Sequence, residues 1–236
     1  MLGGAPVLGT RNEPAAKVAN WLKPSGPGTG RFNMKIRRRE PAIHDIIRFE
    51  FSRKLWPQWR CGAVKMEDEH GGTNRLVNDC LIIVDVQNGF VNASTHNIPK
   101  AVEAAQRGYS HVIATRFYNP PGSLYRSLIG WNRFEAGTDD VDLAFAIRDD
   151  AVVIDKPRYS CVDGALLELL RTWNVCSVDV CGIDTDICVM KTAVDLFEAG
   201  IVPCVISELC ASHGGPEMHA AALRILRRYI GAAQVR

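Results

Sequence analysis

The chain has 236 residues and a mass of 26.0 kDa, room for one α/β domain with sequence to spare, and its 47% hydrophobic content is ordinary for a globular protein. A formal net charge of +2 is too small to favour nucleic acid or an anionic membrane surface. No apolar run approaches membrane-spanning length, so neither nucleic acid nor membrane is expected as a partner.

In chain order, residues 1–75 come first as an accessory or flexible arm, rich in Gly, Pro and charge and poor in periodicity. Within it, the spacing of Ile43–Phe51 predicts a short amphipathic helix. Lys35–Arg39 is the one basic cluster and reads as a solvated patch. Gly26–Gly30 is not a phosphate loop, because no strand leads into it and no Lys-Ser/Thr follows.

Residues 76–236 read as the main domain. Apolar runs alternate with helical patterns, which predicts a three-layer α/β/α fold around a central, mostly parallel sheet of about six strands. The strands are placed at 81–86, 111–115, 151–155, 177–182 and 202–207, with a short last one near 233–235. Helices are expected from Pro99 to Gly108, from an N-cap at Asp163 to Asn174, over 187–199 before Gly200, and from Pro216 to Ile230 before Gly231. The stretch Arg116–Asp150, with Tyr118, Tyr125, Trp131 and Phe134, is too long for a plain connection and is expected to form a pocket wall.

Eight cysteines in a chain of this size, with no apolar leader after Met1, do not read as a disulfide framework, so a reducing, cytoplasmic setting is expected. Cys80, Cys176, Cys181, Cys204 and Cys210 lie in or beside apolar stretches and are expected in the core. Cys188 differs. It follows a strand ending at Gly182 and stands where a helical pattern begins, a position where backbone N–H groups and the helix dipole favour a thiolate or an oxyanion.

Two further strands deliver charged residues near their carboxyl ends, Asp85 from Leu81–Asn88 and Lys156 from Val152–Ser160. Ligands of open α/β sheets bind outside those ends, so three residues distant in sequence can meet in one crevice. Taken singly, each has a plainer reading: a turn-forming aspartate, a solvated loop lysine, a buried inert thiol. Their order and placement together point to an Asp/Lys/Cys catalytic set. The neighbouring acids Asp184 and Asp186 would raise the thiol pKa, and Lys156 with the helix end would have to outweigh them.

From about Asn78 to the C-terminus these motifs resemble the isochorismatase-like cysteine hydrolases, a superfamily that includes nicotinamidases and N-carbamoylsarcosine amidase. The resemblance implies that Cys188 attacks a carbonyl, that Asp85 serves as general base and then acid, and that Lys156 holds Asp85 and stabilises the thiolate. It also implies an oxyanion hole from the backbone N–H groups of Asp184 and Cys188, a cis peptide between Ile183 and Asp184, and a homodimer or homotetramer.

One departure concerns metal. Where nicotinamidases carry Asp-x-His, this chain has Ala114-Thr-Arg-Phe-Tyr-Asn119, and 116–150 contains no histidine. No metal and no cofactor are therefore expected. Arg116, Tyr118, Asn119, Tyr125 and Trp131 are taken as the substrate-binding set, and His213 and His219 as capping or surface residues. The leading reading is a metal-independent cysteine hydrolase of a small amide, ureido or carbamoyl compound. An isochorismatase-type vinyl ether hydrolase and an inactive binding protein of the same fold stay open.

Overall fold

The computed structural model describes residues 79–236, and the expectations for 1–75, including the helix over 43–51, lie outside the described residues. The sheet is built from β1 (Cys80–Val84), β2 (His111–Phe117), β3 (Val152–Lys156), β4 (Ser177–Ile183) and β5 (Val202–Ala211). All pairings are parallel, in the order β3-β2-β1-β4-β5. Every residue of β1 is buried, as its unbroken Cys-Leu-Ile-Ile-Val run requires of a central parallel strand.

Five strands form where about six were expected. Residues near the C-terminus make only a single parallel bridge, Val205 to Val235, because the chain after Gly231 closes into a 3-10 turn. Helices α1 (Ile98–Ala105), α3 (Gly164–Thr172), α4 (Met190–Glu198) and α5 (Pro216–Ile230) are close to their predicted spans. Each turns an apolar stripe inward at helical spacing: Ile98 and Val102, Leu166 and Leu170, Ala193 and Leu196, Ala222, Leu226 and Ile230. Asp163 caps α3 as expected, its side chain accepting from the N–H groups of Ala165 and Leu166 at 3.0 Å each.

The long stretch after β2 is not structureless. It holds a one-turn helix α2 (Leu124–Ser127) and a 3-10 turn at Asp139–Val141, and it is tied down by buried Gln87. The Gln87 amide donates to the carbonyls of Phe117 and Val141 at 2.9 and 2.8 Å and accepts from the Phe117 N–H at 2.8 Å. Of the five cysteines expected in the core, Cys80, Cys181, Cys204 and Cys210 are buried, whereas Cys176 is only half-buried in the turn before β4.

This strand order has a reversal between β1 and β4: the chain leaves β1 toward β2 on one side and returns to β4 on the other. A crevice opens at such a switch point, outside the carboxyl ends of the strands. Gly182 lets β1 and β4 close up there. Its φ is +122°, and a Cβ on it would lie 2.1 Å from the Val84 carbonyl oxygen.

Candidate active site

Asp85 immediately follows β1, and its φ of 49° turns the side chain away from the strand direction. It is fully buried. Thr115, on the adjacent strand β2, fixes the carboxyl group from one side: its hydroxyl donates to Asp85 Oδ1 at 2.7 Å and accepts from the Asp85 N–H at 3.2 Å. Sequence inspection passes over Thr115, although a hydroxyl one strand away from a buried aspartate is the signal that finds it.

Lys156 is the last residue of β3, two strands from β1, and only a long side chain bridges that gap of about 10 Å. Its Nζ donates to Asp85 Oδ2 at 2.6 Å and to the carbonyls of Arg158 and Tyr159 at 3.0 and 2.8 Å. Those three bonds use all the donors of an ammonium group, so Lys156 is held charged and has none left for a ligand. Burial works against that charge, but the neighbouring acidic groups, Asp85 first, more than offset it and the Lys156 pKa is raised.

Cys188 stands beyond β4 in a π-helical turn, Thr185–Val189, that leads directly into α4. The turn is anchored by the Ile187 and Val189 N–H groups donating to the Asp184 carbonyl at 3.2 and 3.0 Å, and by a 2.8 Å bond between Thr185 Oγ1 and His219 Nδ1. The Ile183–Asp184 peptide is cis. Asp85 and Lys156 lie close enough to the Cys188 thiol to shift its pKa, so the fold brings the three side chains together.

The thiol is not tuned as expected. Burial first, and then the Asp85 charge, push the Cys188 pKa well above its ordinary 9.0, with Lys156 lowering it and Asp184 raising it further. Burial and the acids thus outweigh Lys156, and the shift favours the neutral thiol.

Cys188 opens into a cavity of about 230 Å³ lined chiefly by aromatic and aliphatic side chains, with Phe90, Phe117, Tyr125, Trp131, Tyr159 and Ile187 among them. Tyr125 and Trp131 are thus in the wall, as expected. Arg116 is not: it forms a fork with Asp155 on β3, at 2.7 and 2.9 Å, on the exposed surface. Tyr118 is half-buried away from the cavity lining. Asn119 is fully buried and spent on the loop, donating to the Trp131 and Arg133 carbonyls at 2.6 and 3.1 Å and accepting from Ser123 Oγ at 2.5 Å. Arg116, Tyr118 and Asn119 thus lie outside the cavity lining: alternation along β2 turns Arg116 out, and Asn119 secures the turn that carries Trp131.

His213 is no mere capping or surface residue. It lines the cavity, where its backbone N–H donates to Asp184 Oδ1 at 2.7 Å and its Nδ1 bonds Asp184 Oδ2. That bond raises the His213 pKa. A lone histidine after a strand carries no sequence signal of this, since its partner lies 29 residues away.

The donor set does not fit a nicotinamidase-type metal. Phe117 has no ligand atom, and the Asn119 amide is engaged with the loop. Among the described residues no cluster of three or more His, Cys, Asp or Glu could hold a metal ion.

A family model for the isochorismatase domain matches residues 79–235. The chain belongs to the isochorismatase family. It is 30% identical to the nicotinamidase/pyrazinamidase of Mycobacterium tuberculosis, over 56% of this chain and 85% of that protein. It is 40% identical to an uncharacterized isochorismatase family protein of Bacillus subtilis over 80 residues, which are 34% of this chain and 43% of that relative, less than half its length. An isochorismatase-like hydrolase of Alkaliphilus metalliredigens shares the fold with a TM-score of 0.59 at 20% identity, covering 66% of this chain and 92% of that one.

Proposed function

We propose that this isochorismatase-family chain is a metal-independent cysteine hydrolase that cleaves the C–N bond of a small amide, ureido or carbamoyl compound through a thioester. The observation that carries the reading is the buried ion pair of Lys156 with Asp85, 2.6 Å long, set beside the Cys188 thiol, which itself lines the cavity. The nicotinamidase/pyrazinamidase relative supports amide hydrolysis as the reaction class.

The chemistry follows from a thiol that begins protonated. As Cys188 Sγ attacks the carbonyl carbon, its proton passes to Asp85, so charge appears on sulfur only while the bond to carbon forms. The backbone N–H groups of Asp184 and Cys188 receive the oxyanion. Asp85 returns the proton to the departing nitrogen, the C–N bond breaks, and a thioester remains. A water that gives its proton to Asp85 then attacks the thioester, and the C–S bond breaks as the proton returns to sulfur. Lys156, with its three bonds made, keeps the carboxylate oriented throughout.

The vinyl ether alternative does not require a thiol, and the coupling of Cys188 to Asp85 favours the amide. Rapid acid quench in the first turnover, followed by intact mass, tests the route: an adduct with the mass of the substrate's acyl part should sit on Cys188. EDTA should leave turnover unchanged. Loss of activity in EDTA, restored by added zinc, manganese or iron, would refute metal independence.

A further inference from the structure

The cavity is lined mainly by apolar and aromatic side chains, and besides Cys188 its charged feature is the Asp184–His213 pair. Asp184 is held from two directions by the same residue, through the His213 backbone N–H at 2.7 Å and through Nδ1. The His213 carbonyl is itself fixed by the Asn92 amide at 2.8 Å, so the loop after β5 is tied to the loop after β1. With Nδ1 committed to Asp184, Nε2 is the remaining ring donor, and it has no protein partner among the described residues. The imidazole ring lies against two aromatic rings of the wall, with centroids 5.6 Å from Phe90 and 5.4 Å from Trp131. Phe90 and Trp131 are themselves nearly parallel, 11° apart with centroids at 6.3 Å.

We propose that His213 is a specificity-determining residue, donating from Nε2 to an acceptor atom on the non-reacting part of a small, flat, uncharged substrate that lies along Phe90 and Trp131. The cavity volume of about 230 Å³ falls below the roughly 300–1,000 Å³ of pockets for drug-sized ligands, which restricts the substrate to about one ring and its reacting group. The near-parallel aromatic faces select a planar body. The acceptor belongs to an uncharged group because Asp184 already balances the His213 ring when it is protonated, and the remaining wall holds no Lys or Arg to pair a second buried anion.

Two physical effects support a donating ring: a carboxylate bonded to Nδ1 favours the protonated imidazole, and so do aromatic faces beside it. The charged groups facing His213 are Asp184 and Asp186, which favour its protonation, and Arg133, which opposes it along with burial. The rest of the pair's surroundings is apolar, so an acceptor-free ligand would leave Nε2–H buried without a partner.

This inference rests on the reading of Cys188 as the nucleophile but is tested apart from it. Binding is measured by calorimetry in full-length Cys188→Ala, which does not depend on turnover. The probes are pyridine-3-carboxamide, pyridine-4-carboxamide and benzamide, similar in shape and differing in a ring acceptor. At least one pyridine amide should bind about 10- to 100-fold more tightly than benzamide, the range for a hydrogen bond from a charged donor. Adding His213→Phe should collapse that ratio to near one, whereas His213→Gln, which keeps a donor, should retain part of it. Equal affinities, no binding by any of the three, or a ratio untouched by His213→Phe would overturn the proposal. Tighter binding of 3-carbamoylbenzoate than of the pyridine amides would overturn the uncharged class. Turnover surviving in Cys188→Ala would instead refute the nucleophile and leave these affinities standing.

Discussion

At the scale of single residues, the site separates the holding of a charge from its use. Asp85 is gripped by Thr115 and Lys156 beside Cys188, and the thiol pKa is pushed up chiefly by burial and next by Asp85. The sign of that shift gives a test. At neutral pH Cys188 should alkylate with iodoacetamide more slowly than a free thiol, and its rate should keep rising with pH past the ordinary value of 9.0. Asp85→Asn removes a negative charge that disfavours the thiolate and frees the Lys156 charge, so alkylation at neutral pH should speed up while turnover collapses. A slower alkylation in that variant would mean that Asp85 does not face the thiol. The catalytic candidates were legible in the sequence because each stands at or just beyond the carboxyl end of an apolar strand pattern. Thr115, Gln87 and His213 were not, because each matters through a partner 29 to 54 residues away that only the folded sheet supplies.

Elements position these residues through the close approach of β1 and β4. Gly182 is the constraint: its backbone angle is one that side chains rarely adopt, and a Cβ there would strike the Val84 carbonyl. Gly182→Ala should destabilise the fold by about 2–5 kcal/mol, lowering Tm by roughly 5–15 °C, from backbone strain and overpacking together. Gly164, the first residue of α3, has open space around its Cβ position and no positive φ. Gly164→Ala should be neutral or should stabilise by up to about 1 kcal/mol. Thermal unfolding of the two variants checks the contrast, and equal Tm values would show that the strand approach is not tight. The strands and most helix ends were readable because apolar runs, Asp163, Gly200 and Gly231 mark them. The expected sixth strand failed because the five residues after Gly231, Ala-Ala-Gln-Val-Arg, carry too little periodicity to tell a strand from a turn. The interior of 116–150 was hidden because its order comes from Gln87 and Asn119 rather than from its own pattern.

For the whole molecule, the family match over 79–235 coincides with the described sheet and its helices. We propose that residues 76–236 carry the fold and the chemistry, so a protein beginning at Met66 should be soluble and turn over substrate at a rate near that of the full chain. An insoluble or inactive truncation would place part of the working domain before Met66. No helix among the described residues is long and apolar enough to cross a membrane. The parallel sheet brings an aspartate and a lysine from two strand ends to a cysteine in the turn after a third, and only the cysteine lines the cavity, so the account stands or falls on what it does there. The direct test is turnover by full-length Cys188→Ala beside the unsubstituted protein, across primary amides, N-carbamoyl compounds and isochorismate. The account predicts hydrolysis of at least one amide or carbamoyl compound and a loss of about a thousand-fold or more in the variant. Hydrolysis of isochorismate alone, or amide turnover in Cys188→Ala within about ten-fold of the unsubstituted rate, would contradict it.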